Sequence, residues 1–419
     1  MLGSIFKTAT FKQSQITTIG TFVNGILGAF FYILLARFLG PSDFGLLSVS
    51  IVTLTLISDI SDLGTNTGLI RFVSSSLTEN KDKGLKFLKL SLEIKAFVWL
   101  IILALGIYLS PFIADKIFNK VELTQSLRLV MIGVGGALFF SFTTSSLQAF
   151  QKYFTWSLVN IITNLLRLVF IILLLLLSTL TLTNSLIVYI IFPFFGFSLA
   201  LFFLPFKNIL LAKNEFSVSG EFFKYNIWVA LFTLIAAISS RLDTFLNVRL
   251  LSNQEVGIYA AANQLVQVVP QLIGALGIVA APKFAGFQNK NQMLVYFKKF
   301  QLMVLGISVL GLLGIPMAFY SIPILYGINY ISTIIPFVIL LLAMLIFLIS
   351  IPLHNSIIFY FGKPQIFVWV SIGHLLIISF VGYHMILRFG VIGAAITVFL
   401  GMLFNFVAPL IWFLFKIRK

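Results

Sequence analysis

RFLGPSDFG (Arg37 to Gly45) returns as RLLSNQEVG (Arg249 to Gly257), 212 residues further along the chain. The arginine, a leucine and the closing glycine are kept, and Asp43 is answered by Glu255. Outward from this pair the same offset sets Arg71-Phe72 on Lys283-Phe284 and Lys86 on Lys298, while Lys152 meets Lys363 at an offset of 211. One such match is weak, but a shared offset is the mark of an internal repeat. The chain reads as two copies of one unit, 1–206 and 226–419, joined by a linker at 207–225.

Composition sets the medium. Of 419 residues 60% are hydrophobic and 10% charged, with a mean hydropathy of +1.09, too apolar for a core with a solvated skin. Twelve apolar runs are long enough for a hydrocarbon slab: 14–37, 44–70, 89–110, 126–149, 156–178, 184–206, 226–248, 257–280, 301–321, 334–360, 366–387 and 391–415. The expected fold is an all-α integral membrane protein with about twelve transmembrane helices in two six-helix lobes. The first run lacks a small-residue cleavage site and more runs follow, so it reads as a span rather than a cleaved signal. There is no cysteine, which excludes disulfides, thiolate metal sites and a cysteine nucleophile.

The net charge of +16 does not point to nucleic acid, because the basic residues follow the membrane. On alternate sides of the spans, 20 Lys and Arg fall on one side and 6 on the other, with Arg167 and Arg241 inside spans. This is the positive-inside pattern and puts both termini in the cytoplasm. The basic segments 71–95, 207–224 and 283–299 are expected against anionic lipid headgroups. Six spans per copy bring both copies in from the same side, so the repeats run parallel about an axis along the membrane normal, with a transport site between them. The linker 207–225 mixes apolar and charged residues at helical spacing, and is either an interfacial helix or a plain tether.

Polar residues within spans are costly in hydrocarbon and by default face a bundle interior or a wet cavity. Span two carries Thr55, Asp59, Asp62 and Asn66 at spacings that share one helical face; span eight carries Gln264, Gln267 and Gln271. Span one adds Asn24 with Thr17 and Thr21, and span seven adds Arg241, Asp243 and Asn247. Span five carries Ser157, Asn160, Asn164 and Arg167. Arg167 lies roughly 16 Å into its helix, too deep to snorkel, and calls for a carboxylate partner or a phosphate ligand. These stripes line an aqueous cavity or serve as interhelical glue. Lys152 and Lys363 occupy equivalent short turns and either meet a headgroup phosphate or follow the charge rule. Arg37 with Asp43, and Arg249 with Glu255, read as local ion pairs closing a turn. His354, His374 and His384 match no metal spacing and read as interhelical hydrogen-bonding groups. No phosphate-cradling glycine loop, catalytic triad or metal cluster is legible, so neither an enzyme nor a cofactor is expected.

The stretches LARFLGPSDFGLLSVS, DLGTNTGLIRFVSS and SSRLDTFLNVRLLSNQEVGIYAAANQL resemble the Wzx-type oligosaccharide flippases, the polysaccharide exporters of the multidrug/oligosaccharidyl-lipid/polysaccharide (MOP) superfamily. The resemblance covers essentially the whole chain. It implies a MATE-like fold of two lobes around a cavity that opens alternately to either side, lined by spans one, two, seven and eight. It also implies a bacterial cytoplasmic membrane, an undecaprenyl-diphosphate-linked glycan as substrate, membrane lipids around it and a glycan polymerase downstream. On this reading Arg241, Arg167, Asn164, Asn160, Asn24, Gln264, Gln267 and Gln271 bind the head group. Asp59, Asp62 and Asp243 are the candidates for ion coupling, and Lys152 and Lys363 meet the incoming phosphate. A drug or cation antiporter of the same superfamily is the first alternative, and a membrane glycan polymerase the second.

Overall fold

The computed structural model describes residues 9–213, 215–239 and 241–418, and among them every regular element is helical. Eight helical stretches among these residues are long and apolar enough to cross a membrane. Two are double: Gln15–Ser61 holds predicted span one and most of span two, and Gln365–Arg418 holds eleven and twelve. Span seven is described as the helices Phe216–Ser239 and Leu242–Leu250, and span eight is interrupted at Gln267.

The opening stretch explains the first double helix. Helix α1 (Ala9–Ser61) is broken at Gly40, with φ 77° and ψ 169°, a region open essentially to glycine alone. Pro41 follows, its fixed φ already suited to a helix start. The second copy makes the same turn by other means. Ser252 caps the following helix by accepting from the Glu255 amide, while the Glu255 carboxylate accepts from the Ser252 amide and hydroxyl. Glu255 thus completes a capping box.

The chain divides into two compact units. The first holds residues 9–39 and Leu46–Arg241. After α1 it contains α2 (Thr65–Glu79), α3 (Lys81–Phe112), α4 (Leu123–Ala149), α5 (Tyr153–Leu176), α6 (Leu182–Leu201), α7 (Phe206–Leu211) and α8 (Phe216–Ser239). Its core at the α2–α3 end gathers Leu69, Phe72, Phe87, Phe142 and Phe222, with Phe72 stacked on Phe87 at 4.8 Å. The linker contains the short helix α7 and is tied to α3: Lys89 donates to the Ala212 carbonyl at 2.7 Å, Lys83 pairs with Glu221 at 2.8 Å and Lys86 pairs with Glu215.

The second unit holds Gly40–Gly45 and 242–418. Its helices are α9 (Leu242–Leu250), α10 (Asn253–Val266), α11 (Val268–Gly286), α12 (Lys290–Gly311), α13 (Gly314–Tyr326), α14 (Ile334–Ile349), α15 (Ile351–Asn355), α16 (Gln365–Leu376) and α17 (Gly382–Arg418). The last contains a second glycine break at Gly390, with φ 55°. One of its cores packs Leu353 and Ile357 on Phe413, which stacks on Phe297 at 4.9 Å.

Exposure is inverted relative to a water-soluble protein. On α3, Leu100, Leu105 and Tyr108 face outward while Ser91, Lys95 and Ser110 are buried. An apolar outside suits acyl chains, and in that medium polar groups must find partners within the bundle. Ser110 does so by donating to the Gly106 carbonyl one turn back.

Candidate functional site

The predicted polar stripe of span two assumed one continuous helix. The helix instead ends at Ser61, and Leu63 and Gly64 adopt positive φ (50° and 73°) before α2 begins at Thr65. The break gives Asp62 a structural task. Its carboxylate accepts from the Thr65 hydroxyl at 3.1 Å and the Asn66 amide at 3.2 Å, satisfying donors at the start of α2. It also accepts from Lys95 of α3, which is fully buried and donates in addition to the Ser141 hydroxyl of α4 at 3.3 Å. Breaking such a pair would strand a buried charge, a loss of about 3–5 kcal/mol.

Despite the break, Thr55, Asp59, Asp62 and Asn66 all face one cavity of about 290 Å³ inside the first unit. Its other walls come from Ser141 and Thr144 of α4, Arg167 of α5, and Tyr189 and Pro193 of α6. The wall thus combines carboxylates, hydroxyls, amides, an aromatic ring and a guanidinium.

Arg167 is held by stacking and amides. Its guanidinium lies 4.2 Å from the Tyr189 ring centre and 5.8 Å from that of Phe31. It donates to the Asn164 side-chain oxygen at 3.3 Å, and Asn164 donates to Asn24 at 2.8 Å. Asn24 in turn donates to the Gly20 carbonyl at 2.9 Å. Three residues singled out in the sequence, Asn24, Asn164 and Arg167, therefore form one chain of hydrogen bonds. No carboxylate stands within ion-pair distance of Arg167 among the described residues, and its buried Nε has no hydrogen-bond partner. Arg241 approaches Asp59 at 4.0 Å with both side chains partly exposed, a pair worth at most about 1 kcal/mol.

The remaining predicted residues lie elsewhere. Asn160 is bonded to the Trp156 carbonyl of its own helix at 2.8 Å. Gln264, Gln267 and Gln271 belong to the second unit, where Gln267 and Gln271 are exposed. Asp243, also in the second unit, accepts from the Tyr259 hydroxyl at 2.9 Å. Lys152 is exposed and donates to the Phe203 carbonyl at 2.7 Å; Lys363 is exposed. Of the histidines, His354 bonds the Asn405 carbonyl at 3.0 Å, an interhelical contact between α15 and α17.

Sequence reasoning missed Lys95 and Tyr189. Lys95 borders the cytoplasmic basic segment 71–95, yet it stands inside the apolar run 89–110. A lysine within such a run is itself a signal that an acid faces it from another helix. Tyr189 carried no signal, since one aromatic among many in a span looks like packing.

The apolar helical stretches make this a multi-pass membrane protein. The chain superposes on an inward-facing multidrug resistance MATE family transporter of the MOP superfamily with a TM-score of 0.74 at 12% identity, covering 94% of each chain. Against the lipid II flippase MurJ, in an inward closed conformation, the TM-score is 0.74 at 17% identity, over 96% of this chain and 87% of that one. A MOP superfamily transporter from Pyrococcus furiosus matches at a TM-score of 0.59 and 12% identity, over 97% and 92%. At such identities the likeness establishes the fold. Family membership rests on sequence: the chain belongs to the family described as polysaccharide biosynthesis protein, whose model matches residues 11–288. No curated protein matches the chain.

Proposed function

We propose that this protein is a flippase that carries an undecaprenyl-diphosphate-linked oligosaccharide across the cytoplasmic membrane by alternating access, for export of a surface polysaccharide. The observation that carries this reading is Arg167, set on the wall of the cavity with no carboxylate among the described residues within ion-pair distance.

The physical problem is the head group. Moving one hydroxyl from water into a medium without hydrogen-bond partners costs about 4–8 kcal/mol, so a single sugar ring is barred from hydrocarbon and a charged diphosphate more so. The cavity supplies replacements. Asp59 accepts from sugar hydroxyls, Thr55, Ser58 and Thr144 exchange hydrogen bonds with them, and Tyr189 offers an aromatic face. A guanidinium with a free donor is suited to a phosphate oxygen. The apolar tail stays in lipid while the lobes rock and present the head group to the other side. The charge asymmetry of the loops supports cytoplasmic termini. The polysaccharide biosynthesis family and the fold shared with a lipid II flippase support a lipid-linked substrate, with a glycan polymerase as consumer of the product. Nothing in this reading requires a cofactor or a catalytic step.

Reconstitution decides it. Proteoliposomes with a fluorescent undecaprenyl-diphosphate-linked sugar in the inner leaflet should show protein-dependent appearance of the sugar outside. A protein that moves a lipophilic cation but not this lipid would establish the antiporter reading instead.

A further inference from the structure

The cavity of the first unit has a charge balance that its lining alone does not reveal. Two acids face it, Asp59 and Asp62, and one cation, Arg167. Taken by themselves these make the wall negative. Two further cations face these acids from outside the lining: Arg241 at 4.0 Å from Asp59, and Lys95 on Asp62. The other polar groups contributed by α2, α4 and α6, namely Asn66, Ser141, Thr144 and Tyr189, are uncharged side chains. With both acids answered, the surplus is one positive charge, and it resides on Arg167.

Lys95 is the less expected of the two. Its side chain is wholly buried, with 0% exposure against 13% for Asp62, so a substrate in the cavity does not touch it. A buried ion pair is a poor way to gain stability, since a well-packed apolar pair often serves as well or better. The helix break also needs no charge, because the side-chain oxygen of a neutral asparagine would accept from the Asn66 amide in the same way. What the lysine supplies that an apolar residue would not is the sign of the field in the cavity.

We propose that Lys95 is a specificity-determining residue acting at a distance: by neutralising Asp62 it leaves Arg167 as the unanswered charge and sets the cavity's preference for an anionic group of the phosphate class. This rests on the reading of the cavity as a headgroup site. A unit charge ~10 Å away, through protein of effective dielectric about 20, changes anion affinity roughly tenfold.

The test compares binding of farnesyl diphosphate and of farnesol to the full-length protein in nanodiscs of neutral lipid. Wild type should prefer the diphosphate. Lys95→Met should lose about tenfold in diphosphate affinity with farnesol unchanged. Asp62→Asn, which keeps a capping oxygen and removes the negative charge, should bind the diphosphate more tightly than wild type. The double variant Lys95→Met/Asp62→Asn restores the net charge and should return to wild-type preference, which a purely structural role would not require of a diphosphate-to-farnesol ratio. If Lys95→Met does not fold, the other two variants decide. A folded Lys95→Met with wild-type diphosphate affinity, or a double variant that stays weak for the diphosphate alone, overturns the role of Lys95. A wild-type protein that binds both probes alike instead removes the headgroup reading, and this inference with it.

Discussion

Gly45 and Gly257 face each other across a contact too close for any side chain. A Cβ on Gly45 would lie 2.2 Å from the Asn253 carbonyl oxygen and 2.8 Å from the Gly257 nitrogen. A Cβ on Gly257 would lie 1.9 Å from the Pro41 carbonyl oxygen and 3.1 Å from the Gly45 nitrogen. Pro41 and Asn253 are also 212 residues apart, so the contact is reciprocal: each copy of the repeated turn receives the other's glycine in the same way. The two stretches that betray the duplication in sequence are the two that meet here.

Both obstructing groups are backbone and cannot rotate away. Gly45→Ala and Gly257→Ala should each cost at least about 1–3 kcal/mol, the range for overpacking a tight contact, and by reciprocity the two losses should be similar. Gly28→Ala and Gly306→Ala, where a Cβ meets nothing within 4 Å, should be neutral or stabilising by up to about 1 kcal/mol. Thermal unfolding in one detergent separates the two pairs. Equal losses at all four positions would deny the contact any special role.

The same turn is made by different chemistry in the two copies, and each version has its own weak point. At Gly40 the space for a side chain is open, so Gly40→Ala should cost only the conformational penalty, about 1–3 kcal/mol. In the second copy Ser252→Ala removes the capping box and should cost about 1 kcal/mol. Ser252→Gly should recover most of that loss, since glycine at this position is only a few tenths worse than serine.

Arg167→Ala should abolish flipping in proteoliposomes while the protein still inserts and purifies as wild type. Arg167→Lys should recover little. A lysine keeps the charge but not the planar face that lies on Tyr189, nor the forked donors that reach Asn164. Arg241→Ala should have a smaller effect on stability, below about 1 kcal/mol, because its contact with Asp59 is long and partly solvated.

What the sequence made legible follows from which forces are local. Apolar runs give the spans, and the Gly40-Pro41 pair gives the turn between the first two, because backbone conformation is set by the residues that adopt it. Asn164 and Arg167 were readable as one face of α5 because helical spacing fixes which side chains share a face, whereas the bond from Asn164 to Asn24 of α1 was not. The break after Ser61 was in principle readable too, in Asp62-Leu63-Gly64-Thr65, where an acid precedes a glycine and a helix start. The continuous polar periodicity across it favoured an unbroken helix. The Lys95–Asp62 pair was not readable, since it joins residues 33 apart on different helices and no local spacing encodes which faces meet. Counting charges by loop placed Lys95 at the membrane surface, where a partner is not required.

The Asp62 node makes a stability prediction that separates its cap from its charge. Asp62→Ala removes the acceptor for Thr65, Asn66 and Lys95 together, and should cost about 3–5 kcal/mol or prevent folding. Asp62→Asn keeps one acceptor for the start of α2 and should cost less than the alanine change. Adding Lys95→Met to Asp62→Asn removes the stranded ammonium and should bring back part of the loss. Equal instability of Asp62→Ala and the double variant, measured by unfolding in detergent, would mean that the pair matters for packing rather than for charge.

Asp59 and Asp62 were both candidates for ion coupling, and their surroundings separate them. Asp62 is committed to Lys95, Thr65 and Asn66, so exchanging a proton or a sodium ion there would dismantle the start of α2. Asp59 has a side chain 52% exposed, with Arg241 4.0 Å away, so gaining or losing an ion there dismantles no helix start. Asp59→Asn should therefore leave flipping measurable but indifferent to an imposed proton or sodium gradient, whereas wild-type flipping should rise with the coupling gradient. Asp243 in the second unit, already engaged by Tyr259, serves as the comparison. If Asp243→Asn rather than Asp59→Asn removes the gradient response, coupling belongs to the second unit and Asp59 contributes only to the headgroup site.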